Sequence, residues 1–300
     1  MNDTGRLAAP AIIDRRATIV ALAHKVFGLE AGTTLSIIAR EYWAPLGHRF
    51  LVHRGLKTPP PADLAIPHVP LTHLPPRYAA LSSRYPRAIN GAVTDVSKRR
   101  IATDLVTADD SYAGAVMVKT DFNHGGVAER LLRRKRRDLR TRLLAAIQRR
   151  LPPHWSGRPP LDRYTAFERK SDVPDWVWHS RGLVVQPFHA ERRGDLYALH
   201  QWYFLGSHEC VSTFLSREPV VKLSSVVERL PLHRDVPDAI RRRRADLKFD
   251  YGKFDYVISN GVPVLLDANN TPNEGLGEQK NPRVLAICKA LAGGLAEFLA

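Results

Sequence analysis

Apolar positions along this chain follow two periods in turn, and their order lays out a mixture of helices and strands. Residues 33–46 carry helical spacing and residues 49–53 alternate as a strand. Thr58-Pro59-Pro60-Pro61-Ala62 then breaks the chain before a short strand over 64–66. A short helix containing Tyr78 and Leu81 lies between prolines, so the first ninety residues read as a small α/β unit. A helix over 97–105, a strand over 114–119, a loop over 121–126 and a long helix over 129–150 come next. Leu151-Pro152-Pro153 and Pro159-Pro160 close that helix. Strands are predicted over 164–168, 183–188, 196–205 and 210–215, then a helix over 236–247 that leads into a hairpin over 253–269. An amphipathic helix over 282–300 ends the chain, with Leu285, Leu291, Leu295 and Leu299 facing inward.

Composition narrows the class. Three hundred residues that are 44% apolar suffice for a substantial core. Cys210 and Cys288 form neither a metal-spaced pair nor a disulfide framework, which suits a reducing compartment. No apolar run approaches bilayer length, and Asp3, Arg6 and Pro10 break the order of a signal peptide, so a cytoplasmic protein without a membrane span is expected. The net charge of +15 is partly local: residues 129–150 hold ten Lys or Arg against two acids. Leu132, Leu139, Leu143 and Ile147 give that helix one apolar stripe, and its basic face reads as a solvated surface in preference to a nucleic-acid site. The arginine run 241–244 carries the same ambiguity.

Chemistry concentrates in the hairpin. Side chains of equal parity share a strand face, so Asp267 and Asn269 point the same way. Asp255 depends on the turn. A two-residue Asn260-Gly261 loop pairs Ile258 with Pro263 and sends Asp255 to the opposite face from Asp267. A three-residue loop pairs Ile258 with Val262, sets Lys253 across from Asp267, and gathers Lys253, Asp255, Asp267 and Asn269 on one face. Two carboxylates about 5 Å apart at an effective dielectric near 20 repel by roughly 3 kcal/mol, which a divalent cation offsets. Oxygen-only ligands suit magnesium, which shares its remaining positions with waters and phosphates.

A second candidate is Lys119-Thr-Asp-Phe-Asn-His124-Gly125-Gly126, a lysine at a strand end followed by two glycines before a helix, in outline a phosphate cradle. It is not a Walker A loop, and no G-x-G-x-x-G occurs. His208-Glu209-Cys210-Val211-Ser212 fails as H-E-x-x-H, no G-x-S-x-G elbow is present, and the histidines lack zinc spacing.

In order and chemistry these pieces resemble the ATP-grasp superfamily, in its carboxylate–amine ligase-like branch. The matching elements are Lys98 in Asp95-x-x-Lys98, Lys119 with Gly125-Gly126, the strand Leu183-Val-Val-Gln-Pro-Phe188, and the hairpin. The resemblance implies an α+β fold: two subdomains gripping ATP over 93–182 and 183–300, preceded by a small α/β domain over 1–92. By that likeness Lys98, Lys119, His124, Gly125 and Gly126 hold phosphates, and the backbone of Gln186, Pro187 and Phe188 holds adenine. Asp255, Asp267 and Asn269 bind Mg²⁺, and Lys253 has the catalytic role. Three departures stand out. Asp267-Ala-Asn269 replaces the usual Glu-x-Asn, Lys253 stands where D-alanine ligase-like members have arginine, and Gln186 stands where an acid is common. For the ribose-binding acid, Glu191 and Asp195 are the alternatives.

The implied activity is ATP- and Mg²⁺-dependent joining of a carboxylate to an amine through an acyl phosphate, forming an amide or peptide bond on a small molecule, amino acid or peptide. The acceptor pocket is expected between the first domain and the segment after Asn269, beside a loop over 274–280. A kinase acting on a hydroxyl and a non-catalytic nucleotide- or nucleic-acid-binding protein are the alternatives.

Overall fold

Three sheets organise the chain in the computed structural model, which describes residues 16–135, 164–275 and 277–300. The first is parallel, in the order β2-β1-β3-β4, built from β1 (Thr18–Ala23), β2 (Arg49–Arg54), β3 (Leu64–His68) and β4 (Arg87–Ala88). Strand β1 is central and covered on both faces, so its sequence TIVALA shows no alternation, and periodicity does not predict it. Helix α1 (Thr34–Ile38) starts at Thr33, whose hydroxyl accepts the Ser36 N–H, and continues through one π turn over Ala39–Trp43. Helix α2 (Pro76–Ser82) lies where the sequence places it.

The second sheet is antiparallel, β6-β5-β7, from β5 (Val116–Thr120), β6 (Thr165–Phe167) and β7 (Leu183–Pro187). Because β7 pairs with β5, a division after residue 182 would cut through this sheet. Helix α3 (Lys98–Ile101) is far shorter than the expected 97–105. Arg243 donates to the carbonyls of Arg100 (2.5 Å) and Ile101 (3.1 Å), so these acceptors are taken by a side chain instead of by further helix. Helix α4 (Val127–Lys135) is the start of the basic helix. Its Ala128 and Leu132 pack on Val69, Leu71, Leu74 and Tyr78. The expected continuation over 136–150, its closing prolines and the N-terminal residues 1–15 lie outside the described residues. Helix α5 (Asp175–Trp178) packs beneath β7.

The third sheet runs β11-β10-β9-β12-β13, with β8 (Glu191–Arg193) on the side of β9 (Leu196–Leu205). The remaining strands are β10 (His208–Ser216), β11 (Val226–Arg229), β12 (Tyr251–Ser259) and β13 (Val262–Asn269). Helix α6 (Asp238–Leu247) buries Ile240 and Leu247 among Trp202, Phe204, Phe254 and Tyr256. Helix α7 (Pro282–Ala292) joins two sheets: Val284, Ile287, Cys288 and Leu291 pack against Ile19, Ile66 and α1 and also against Tyr203, Leu205 and Tyr251. The expected helix to residue 300 stops at Ala292, followed by a 3₁₀ turn over Gly293–Phe298. A Cβ on Gly294 would lie 2.0 Å from the Leu205 carbonyl oxygen, so only glycine lets the chain lie this close to β9. Of the four leucines expected inside, Leu291 and Leu295 are buried while Leu285 and Leu299 are partly so. Cys210 and Cys288 are free, buried thiols, each pushed up to about 12 chiefly by burial. No described helix is long and apolar enough to cross a membrane.

Candidate functional site

The hairpin turn has two residues, Asn260 and Gly261, both in the left-handed region with φ 50° and 79°. Ile258 therefore faces Pro263, which by regular pairing would separate Asp255 from Asp267. A bulge corrects the register. Tyr256 faces Leu265, Asp255 faces Asp267, and Leu266 is the extra residue. Neither simple loop describes the outcome: the turn is the short one, yet the four side chains share a face, and Lys253 lies opposite Asn269 instead of Asp267.

Each carboxylate on this face has its own cation. Lys98 Nζ, almost fully buried at the start of α3, donates to Asp267 Oδ1, and Lys253 Nζ lies 3.2 Å from Asp255 Oδ1. Burial works against both ammonium groups. Burial is the largest single effect on each, but for Lys98 the charges of Asp267, Tyr164 and Asp255 with the Asp267 hydrogen bond together outweigh it, for Lys253 the charges of Asp255, Glu274 and Asp267 with the Asp255 contact do, and both lysines end above the ordinary value. Burial raises Asp255, with Lys253 opposing. Asp255 Oδ1 is buried and lacks hydrogen-bond alignment, so its contact with Lys253 is an ion pair alone. Such an under-satisfied oxygen beside a second carboxylate fits a hard divalent cation. Asn269 shares the face, but its Oδ1 accepts both the Thr271 N–H at 2.8 Å and the Thr271 hydroxyl at 3.3 Å, so a metal would have to displace the weaker of the two. Among the described residues no group of three or more His, Cys, Asp or Glu converges, so Asp255 and Asp267 are the carboxylates that a metal at this face would have.

Across from the hairpin lies the second sheet. Lys119 and Tyr164 from it, Phe188 and His189 after β7, and Asp255 and Asp267 border one cleft of about 680 Å³. Lys119 is pushed down to about 8 by burial and then by the charge of Lys98. Its Nζ donates to Gln186 Oε1 at 2.7 Å. Gln186 is thus buried, with its side chain turned to Lys119 instead of the cleft. The Phe188 N–H is taken by the Ala115 carbonyl at 2.8 Å. Alternation along the strand then leaves the Pro187 carbonyl on the open edge of β7, so of the three expected adenine-holding positions only Pro187 offers an uncommitted backbone group there.

The glycine turn does not border the Lys119 cleft. His124, Gly125 and Gly126 have φ of 44°, 62° and 71°, three left-handed residues in succession. His124 borders a second cavity of about 860 Å³, with Phe27, Glu30, His68, Asn269 and Asn273, and neither glycine borders the first cleft. Glu191, one of the two alternatives for the ribose, has its carboxylate engaged within the protein. It accepts from His200, Arg193 and the Ile258 N–H, each at 2.8 Å, and despite burial these bonds hold it down at about 2. Asp195 is exposed in the β8–β9 turn, away from the residues that border the cleft.

Sequence reasoning missed Asp104, Tyr164 and His189. All three lie in loops or at strand ends without periodic signal, and only the packing of the two sheets brings them to Lys119. It named Glu274 only as part of a loop. Glu274 accepts from Tyr203 Oη at 3.1 Å, and its charge acts on Lys253.

No family profile matches the chain, and no curated protein does. Solved structures do. A RimK domain ATP-grasp protein from Sphaerobacter thermophilus is 15% identical with TM-score 0.45, covering 93% of this chain and 99% of its own. D-alanine–D-alanine ligase from Bacillus anthracis is 10% identical with TM-score 0.44, covering 95% and 96%. A RiPP-associated ATP-grasp ligase from Chryseobacterium gregarium, in complex with ADP and a leader and core peptide, is 10% identical with TM-score 0.42, covering 93% and 96%. At these identities and scores the chain's own geometry has to carry the function.

Proposed function

We propose that this chain is an ATP-dependent ligase of ATP-grasp type that joins a carboxylate to an amine through an acyl phosphate. One observation carries the reading: two carboxylates on one hairpin face, each paired to a lysine, look across a cleft at a third lysine, the buried Lys119. A solvated hairpin has no reason to gather two buried and one half-buried ammonium group with two half-buried carboxylates, whereas a triphosphate and a cation match that set. Asp255 and Asp267 would hold Mg²⁺, with Asn269 beside them, and the ion would neutralise phosphate charge. Lys98 and Lys119 would hold the phosphates, and Lys253 would offset charge on the transferred group. The apolar wall of Met117, Phe188, Leu199, Val257 and Leu266 suits a nucleobase and keeps water from the phosphates.

The second cavity suits the substrates. It lies where the resemblance sets the acceptor pocket, between the first sheet's loops and residues 269–273, and Asn269 borders it. Its floor is preformed. Asn273 Nδ2 donates to Glu30 Oε2 at 2.7 Å, and the Thr34 and Glu274 amides donate to Pro272 and Gly32 carbonyls at 3.0 and 3.1 Å.

ADP release with pooled amino acids and short peptides tests the reading. Turnover should need Mg²⁺ and fall by roughly a hundredfold or more in Asp267→Asn, which keeps an acceptor for Lys98. Equal turnover in that variant would remove the site assignment. Hydroxylamine should trap a hydroxamate, and a stable phosphate ester instead would identify a kinase.

A further inference from the structure

Three hydrogen bonds beside the cleft, one buried and two partly buried, tie Lys119 to residues that the scheme above leaves without a role. Gln186 Nε2 donates to Asp104 Oδ1 at 2.7 Å, and Gln186 Oε1 accepts from Lys119 Nζ at 2.7 Å. Asp104 Oδ2 lies 2.5 Å from His189 Nε2. A carboxylate only accepts, so the imidazole carries its proton on Nε2 and donates. The four residues come from three parts of the chain: Asp104 from the loop after α3, Lys119 from β5, and Gln186 and His189 from β7 and its exit. Lys119 and His189 border the cleft, while Asp104 and Gln186 stand behind them.

The polarity of this chain of bonds has one solution. An ammonium only donates and a carboxylate only accepts, so the amide between them has its oxygen toward Lys119 and its nitrogen toward Asp104. A flipped amide would set N–H against ammonium and oxygen against carboxylate. We infer that Asp104 is a positioning residue for the nucleotide: through Gln186 it fixes the place of the Lys119 ammonium, and through His189 it fixes a side chain of the cleft wall. This rests on the cleft being the nucleotide site. Burial alone would raise the Asp104 pKa, but the bonds from His189 and Gln186 bring it below the ordinary value, so the carboxylate stays charged. Its charge in turn favours the Lys119 ammonium.

The arrangement allows a reciprocal exchange. In Asp104→Asn/Gln186→Glu the new amide donates to the new carboxylate, which still accepts from Lys119, so every bond is kept with one polarity reversed. Titration calorimetry on the full chain with Mg²⁺ and ATP, and with adenosine, decides the matter. Asp104→Asn and Gln186→Glu should each weaken ATP by roughly tenfold or more, and the double variant should return to within about threefold of the native chain. Adenosine has no phosphate for Lys119 to hold, so its loss should be smaller than that of ATP. Native affinity in Asp104→Asn, or equal losses for ATP and adenosine, would overturn the role of Asp104 while leaving the nucleotide cleft standing. A native chain that binds neither ligand would overturn both. Should Asp104→Asn fail to fold, the double variant decides: affinity near native supports the role, and a folded double variant more than about tenfold weaker overturns it.

Discussion

Lys98 is the residue that the sequence presents least clearly and the structure most strongly constrains. Its side chain is 4% exposed and its counter-ion, Asp267, is supplied from a strand 169 residues later. Removing one member of such a pair costs more than removing both, because the survivor is left charged and without compensation. Asp267→Ala should therefore destabilise the fold by roughly 3 kcal/mol, and Lys98→Met/Asp267→Ala should recover most of that, as read from denaturant midpoints. Lys119 gives a pH signature. Its pKa stands near 8, so the ammonium that would hold phosphate is present below that pH and lost above it. The KM for ATP should rise as pH passes through about 8, and Lys119→Met should show a high KM at every pH with no such limb.

At the scale of the element, the hairpin shows how one extra residue sets chemistry. Period-two alternation means that a slip of one position turns every later side chain to the opposite face. The turn chosen by Asn260 and Gly261 would have parted the two carboxylates, and Leu266 restores them. Deleting Leu266 leaves a regular ladder in which Asp255 still faces Asp267, so Mg²⁺-dependent ATP binding should stay within about tenfold of native. A complete loss, measured by the same titration, would mean that the bulge geometry is itself required. Helix α3 makes the converse point. Its local sequence continues as a helix, but Arg243 from α6 takes its last carbonyls and frees residues 103–106 to reach β7, where the Val106 N–H donates to the Val185 carbonyl at 3.0 Å.

Across the whole molecule, α7 makes the first and third sheets one body. Its buried face packs on α1, β9 and β10 and shares a single apolar cluster with residues of β1, β3 and β12. Leu291 is fully buried there, and Leu291→Ala should cost roughly 2–5 kcal/mol. Because the core is shared, tryptophan fluorescence and circular dichroism should report one coincident transition in that variant, not a separate melting of the first ninety residues.

Local periodicity determined most of what is repetitive here. The long strands β9, β10 and β12, the buried lysine strand β5 and helix α7 are legible because each has one apolar face or a continuous apolar run. The α+β class and the acidic hairpin beside a lysine follow from them. Strand β1 escaped for the opposite reason, since burial on both faces removes alternation. Tertiary structure alone decided the rest. The register at Leu266, the membership of β7 in the second sheet, the separation of the glycine turn from the Lys119 cleft, and the approach of Asp104 to Gln186 all depend on contacts between residues far apart in the chain. Local propensity is blind to such contacts, because their energy appears only when two distant surfaces meet and exclude water from the polar groups between them.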